Sequence, residues 1–322
     1  MAALRNVQKV YSLDQSPFFK LKSHRRLADV LGISLRTLKS TLKKGDTNYY
    51  TGKVIQKNGK KRDIEVPLAQ LYRIHSRVNR LLSRIEKPKY LESGVKGKSH
   101  VTNAIAHVGE YQLKKADIQN FYNSTSRERV ANMFEKQFKC THDVASTLSK
   151  LVTYNSRVPT GSPLSQSVAF FTNKSIFDQV DDYCKKRNVA FSVYVDDLTF
   201  SGKNLPKNLF DSVKMIFENS SSYVLHKYRQ YKPSTPKLVT GVIISKNRIL
   251  VPNGLRLRIK KDLDSIGSIL SLQDEELQVK FFQRLVGSLY SAGQISPSFK
   301  LKGKEVVSIR RQHNIKSMNQ NS

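Results

Sequence analysis

Three carboxylates offer the clearest chemistry in this sequence. Asp196 and Asp197 are adjacent in Tyr194-Val195-Asp196-Asp197, inside an otherwise apolar strand pattern of Val193, Val195, Leu198 and Phe200. Burying them unpaired is expensive. Neighbours on a straight strand point to opposite faces, but at a hairpin tip both can approach one ion. A plain turn is the competing explanation, because Asp favours turns. Asp117 ends the strand pattern YQLKKAD and precedes Phe121 and Tyr122; by itself it could equally cap a helix. Together the three suit a pair of Mg²⁺ ions, which take carboxylate oxygens and keep sites for water and phosphate. Such a pair can activate a hydroxyl nucleophile and stabilise a leaving pyrophosphate.

That chemistry also needs cations and close backbone. Lys57, Lys60, Lys61 and Arg62 cluster around the Asn58-Gly59 turn, a basic flap that can fold over a nucleotide or a simple charged turn. Tyr122 is placed to lie beneath a deoxyribose and exclude a 2′-hydroxyl, with core packing as the alternative. In Pro159-Thr160-Gly161-Ser162-Pro163-Leu164-Ser165, Thr160 and Gly161 can hold backbone near a template or nucleotide, and Ser165 can cap the following helix. Lys227 follows a strand and is a weaker candidate for protonating pyrophosphate. Arg73, Arg77, Arg80 and Arg84 recur at helical spacing without an acidic partner before Glu86, a phosphate-contacting row or a solvated face.

The elements that must position these groups alternate between strand and helix, which argues for an α+β core with a helical C-terminal module. Residues 18–44 read as two short helices around Gly32, with a weak helix-turn-helix look in LADVLGISLRTL; a two-helix cap competes with a base-reading module. A hairpin follows, with strands near Tyr50–Ile55 and Arg62–Val66. A helix over about 68–86 buries Leu71, Ile74, Val78, Leu81 and Ile85. Helices are expected near 127–138, 143–152, 166–188 and 206–218, and strands near 222–226, 238–244 and 248–252. From about 257 the chain reads as basic helix, with Phe281, Phe282, Leu285, Val286 and Leu289 at helical spacing.

Composition narrows the partner. Lys and Arg total 56 against 25 Asp and Glu, a net charge of +31 spread along all 322 residues, which points to a polyanion. The two cysteines, Cys140 and Cys184, lack metal-ligand spacing and exclude a disulfide framework. No apolar run is long enough to span a bilayer, so a soluble, cytoplasmic protein is expected.

The ordered segments KNGKKRDIEVP (57–67), ADIQNFYNS (116–124), PTGSPLS (159–165), YVDD (194–197) and LVTGVIIS (238–245) resemble those of prokaryotic reverse transcriptases. NAIAH (103–107), Val239-Thr240-Gly241 and the tail LVGSLYSAGQISPSF (285–299) are similar to retron reverse transcriptases in particular. The resemblance covers residues 45–316. It implies a right-hand polymerase: an N-terminal helical extension (1–45), fingers (46–115), a palm with an antiparallel sheet and interleaved fingers helices (116–252), and a short helical basic thumb (253–322). It carries Asp117, Asp196 and Asp197 over as ligands of two Mg²⁺ ions, for which Mn²⁺ can substitute, together with the backbone of Ile118. Arg62 and Lys57 become triphosphate contacts, and Tyr122 the sugar gate. Asn103, His107, Val239, Thr240 and Gly241 fall on regions that bind the cognate RNA.

The family copies part of a structured non-coding RNA into single-stranded DNA, priming from a guanosine 2′-hydroxyl and leaving a branched RNA–DNA product. dNTPs, that RNA and a separate effector protein are the implied partners, in defence of a bacterium against phage. Three positions depart from the pattern: Thr160 stands where Gln is usual, Val195 where Ala is commoner, and the lysine after Tyr223–His226 is displaced. A group II intron or diversity-generating enzyme is the rival, disfavoured by NAIAH and VTG. A non-enzymatic RNA- or DNA-binding regulator leaves the aspartates unexplained.

Overall fold

The computed structural model describes residues 10–55, 59, 61–220 and 223–315. In chain order the first elements are α1 (His24–Leu31), α2 (Leu35–Lys44), β1 (Tyr49–Ile55), β2 (Lys61–Pro67), α3 (Ala69–Ser83) and α4 (His100–Ile105). The middle of the chain forms β3 (Gln112–Ile118), α5 (Arg127–Asn132), α6 (His142–Val152), α7 (Ser165–Lys185), β4 (Ala190–Tyr194), β5 (Asp197–Gly202) and α8 (Leu209–Ser220). Then come β6 (Leu225–Tyr231), β7 (Lys237–Val239), β8 (Val242–Ser245), β9 (Arg248–Leu250), α9 (Asn253–Asp264), α10 (Ile266–Leu270), α11 (Glu275–Gly293) and α12 (Pro297–Gln312).

Two compact units result. One comprises the chain up to Gly97 with Lys115–Thr199 and Leu205–Arg229; the other comprises Lys98–Lys114, Phe200–Asn204 and everything from Gln230. Strands order as β4-β5-β3-β6, as the antiparallel pair β1-β2, and as the antiparallel meander β7-β8-β9.

In the first unit, Ser23 and Ser34 cap α1 and α2, and Gly32 closes α1 in the left-handed region at φ 72°. The pair is a packed cap: Leu27, Ala28, Leu31 and Leu38 are buried, and Arg77 Nε donates to the Val30 carbonyl at 3.0 Å. The core centres on α7, whose Phe170 and Phe177 stack at 6.1 Å, with Phe121 and Phe217 against Phe177. This aromatic layer fixes the segment just beyond Asp117.

In the second unit, α4 packs on the meander through Val101, Ala104, Val239, Val242 and Ile244. The helical module α9–α12 has its own core of Phe281, Phe282, Leu285 and Leu289. Val286, which shares their helical spacing, packs at the edge of this core. The strand expected over 238–244 is two strands, because Thr240 and Gly241 form a two-residue turn at φ 43° and 82°. Two consecutive left-handed residues are what a type I′ hairpin turn requires. Asn-Gly is its usual signature, so Thr-Gly concealed it.

Candidate active site

Asp117 lies on β3, and the Ile118 N–H donates to the Asp196 carbonyl at 2.9 Å. This bond joins the end of one carboxylate strand to the turn carrying the other two. The turn itself is strained. Val195 takes φ 60°, a left-handed conformation costing a β-branched residue about 1–3 kcal/mol. Its N–H donates to the buried Ser93 hydroxyl at 2.8 Å.

Burial and then the Asp117 charge push Asp196 up to about 6. Asp197 is raised by burial, an effect opposed by Lys115, which lies 3.7 Å away, and reinforced by Asp117. Asp117 accepts from Lys227 Nζ at 3.2 Å and pairs with His226. Among the described residues no group of three or more His, Cys, Asp and Glu side chains forms a cluster that could hold a metal. The carboxylates instead meet amines and an imidazole. The donor chemistry still fits a hard cation: Asp196 feels the charges of Asp117 and Asp197, Asp197 feels that of Asp117, and both are raised in affinity for a proton.

Tyr122 is half-buried. Burial first, and Asp196 second, push its phenol up to about 12, while Arg62 acts in the opposite direction. Tyr122, Asp196 and Arg62 therefore share one electrostatic neighbourhood. Lys57, with Asn58 and Lys60, lies outside the described residues.

The PTGSPLS segment is docked on β2 and α3. The Thr160 N–H and hydroxyl both donate to Glu65, at 2.8 and 2.9 Å, and the hydroxyl also reaches the Asp63 carbonyl at 3.0 Å. A Cβ on Gly161 would stand 2.7 Å from the Glu65 carbonyl oxygen. The close approach expected toward template or nucleotide is thus made toward β2. Ser165 is not a helix N-cap; its hydroxyl donates to the Pro159 carbonyl. His75 Nε2 donates to the Leu151 carbonyl at 2.8 Å, so in the neutral ring Nδ1 accepts from Ser162 at 2.6 Å. Burial pushes His75 down to about 4, which keeps it neutral.

The arginine row divides. Arg73 and Arg80 are exposed, whereas Arg77 holds Val30 and the Arg84 guanidinium lies 5.2 Å from the Tyr11 ring centroid. Arg77 and Arg84 therefore serve the fold, which corrects the expectation of a continuous phosphate-facing row.

In the second unit Asn103 and His107 are buried, so their side chains do not face solvent RNA as expected. Asn103 lies in α4 and His107 just beyond its end. The Asn103 amide donates to the Thr240 hydroxyl at 3.3 Å, and that hydroxyl donates to the His100 carbonyl at 2.7 Å. His107 Nδ1 meets Ser201 Oγ at 2.7 Å. Val239 is buried and Gly241 exposed, leaving the turn's tip as the accessible part of this motif.

Several positioning groups escaped the sequence reading. Lys115 stands two residues before Asp117, so strand periodicity could have placed both on one face. His226 adjoins Lys227 on β6. Ser93, His75 and Glu65 carry no local signal, since their partners are distant in sequence.

No protein-family profile matches the chain. The Se72 retron reverse transcriptase of Salmonella heidelberg is 30% identical over 181 residues, 54% of this chain and 47% of that protein. The Ec48 retron reverse transcriptase of Escherichia coli is 24% identical over 316 residues, 89% of this chain and 75% of that protein. By sequence, the chain is a relative of the retron reverse transcriptases. It spans about half the length of the Salmonella relative. Apo telomerase from Candida tropicalis superposes with a TM-score of 0.55 at 10% identity, over 84% of this chain and 58% of that one. That likeness concerns the fold, which is the mixed helix-and-sheet fold of a right-hand polymerase. No helix among the described residues is long and apolar enough to cross a membrane.

Proposed function

We propose that this chain is an RNA-directed DNA polymerase of the retron type. The observation that carries the reading is the Ile118–Asp196 bond, which sets Asp117 beside the Asp196-Asp197 turn. Asp117, Asp196, Asp197 and the backbone of Ile118 would hold two Mg²⁺ ions, with Mn²⁺ able to substitute. When bound, the ions supply Lewis-acid activation of a primer hydroxyl and charge neutralisation of departing pyrophosphate.

The chain's own residues do the rest. Arg62 and Lys57 bind the triphosphate. Tyr122 lies beneath the sugar and excludes a 2′-hydroxyl. Lys227, an exposed cation on Asp117, holds a proton near the departing phosphate. Thr160 and Gly161 support the site by fixing their loop to β2. Residues 1–45 act as a helical extension, 46–115 as fingers, 116–252 as palm and 253–322 as thumb.

The motifs shared with retron enzymes support a structured non-coding RNA as template, a guanosine 2′-hydroxyl as primer and a branched single-stranded DNA as product. A separate effector protein and a role in antiphage defence in the bacterial cytoplasm complete the reading. Asn103 acts in RNA choice by holding the VTG turn, His107 by fixing the segment after α4 to Ser201, and the turn meets the RNA. The test is primer extension on RNA with Mg²⁺ and dNTPs, alongside analysis of co-purifying nucleic acid. Wild type extends and carries a short DNA resistant to RNase and sensitive to DNase; Asp196→Asn and Asp117→Asn lose extension by orders of magnitude. Equal extension by the variants overturns the assignment of the aspartates.

A further inference from the structure

Val195 is the residue least suited to its conformation at this site. Only two residues, Val195 and Asp196, separate β4 from β5, and Val195 adopts φ 60°. Glycine takes this region freely, whereas a β-branched side chain clashes there. A strained residue persists only where its surroundings over-determine it. The surroundings here are the segment Tyr90–Ser93. Val193 N–H donates to the Tyr90 carbonyl at 2.8 Å, and Glu92 N–H donates to the Val193 carbonyl at 2.9 Å. Tyr90 is itself fastened to α7, its hydroxyl donating to Asp178 at 2.7 Å. Ser93, 4% exposed, then accepts the Val195 N–H at 2.8 Å. A continuous path of hydrogen bonds and packed backbone therefore runs from α7 to the strained peptide.

We infer that Ser93 is a positioning residue for the carboxylate turn: its hydroxyl holds the Val195 N–H, keeps that residue left-handed, and so presents Asp196 to Asp117. Without the hydroxyl, the Tyr194–Val195 peptide is free to flip, which turns the Val195 N–H away from Ser93 and carries Val195 to negative φ through the coupled ψ of Tyr194. That flip reshapes the turn and loosens the Asp196 carbonyl's bond to the Ile118 N–H. Cation binding by the three carboxylates then weakens, although Ser93 touches neither substrate nor ion. The inference deepens the polymerase reading and rests on it for the role of the carboxylates.

The test is a double-mutant cycle on the full chain with Ser93→Ala and Val195→Gly. Mn²⁺ affinity is measured by electron paramagnetic resonance of free Mn²⁺ without template, and the Mg²⁺ concentration for half-maximal extension is measured in parallel. In the otherwise wild-type chain, Ser93→Ala weakens Mn²⁺ binding about tenfold. In the Val195→Gly background the same change costs less than about twofold, because glycine needs no clamp. Equal losses in both backgrounds, or no loss in either, overturn the inference. If Ser93→Ala does not fold, Ser93→Cys, a weaker acceptor, carries the same cycle and the same criteria. Wild type that binds Mn²⁺ but extends no primer defeats the polymerase reading, while the cycle still decides the role of Ser93.

Discussion

Asn103 donates its amide to the hydroxyl of Thr240, 137 residues later, and so ties the segment before the first carboxylate strand to the VTG turn. The same hydroxyl donates to the His100 carbonyl, so Thr240 is held from both sides while its backbone is left-handed. Asn103→Ala takes a donor from the part-buried Thr240 hydroxyl and lowers stability by about 1 kcal/mol. Thr240→Val costs a similar amount. The double variant costs less than the sum, because both remove one interaction. Denaturant unfolding of the four proteins checks this, and full additivity refutes the link. Synthesis on the cognate RNA falls further than synthesis on an artificial primer–template; equal loss assigns the pair to the fold alone.

His75 makes stability depend on pH in a defined direction. Its folded value near 4 lies below the ordinary 6.5, so the unfolded chain binds the proton more readily. The contribution of neutral His75 is complete above 6.5 and is lost as pH falls toward 4, by about 3 kcal/mol. His107 is lowered to the same value by burial and acts in the same window. The stability gap between wild type and His75→Gln should therefore narrow as pH falls through this range. A gap that stays constant removes His75 as the titrating group.

Gly161 is fixed by contact. An added methyl would stand 2.7 Å from the Glu65 carbonyl oxygen and 2.9 Å from Val66 Cγ2. Gly161→Ala forces the loop from β2 and destabilises by about 1–3 kcal/mol. Urea unfolding measures the cost, and a neutral result shows that the loop can retreat.

The divided arginine row gives opposite expectations for its members. Arg73→Ala and Arg80→Ala each reduce the salt dependence of RNA binding by about one unit of slope, with stability unchanged within about 0.5 kcal/mol. Arg77→Ala loses its bond to Val30 and about 1 kcal/mol of stability. Binding titrations at several salt concentrations separate the classes; an unchanged slope for Arg73→Ala takes that face off the RNA.

Tyr122 shares its surroundings with Asp196 and Arg62, and its proposed role is to lie beneath an incoming sugar. Tyr122→Ala should raise the ratio of ribonucleotide to deoxyribonucleotide incorporation. An unchanged ratio reduces the ring to packing.

Residue spacing was enough to locate most of the elements and to propose the chemistry. Alternating apolar residues located β3 and the strands around Asp196-Asp197. Helical periodicity located α3, α7 and α11, and the type and order of the motifs pointed to retron relatives. These are local properties, written in the spacing of neighbouring residues. What the polar side chains face was settled only by the folding of distant segments together. From spacing alone Arg73 and Arg77 are equivalent, but α1 lies beside only one of them. Asn103 and His107 read as contacts for RNA until α4 folds onto β7–β9 and buries both. Val195 carries no mark of strain in its own strand pattern, because its φ depends on a tight turn and a hydroxyl 102 residues earlier. Hydrogen bonds between residues so far apart exist only after the chain has closed its long loops, and so leave no periodic trace in the sequence.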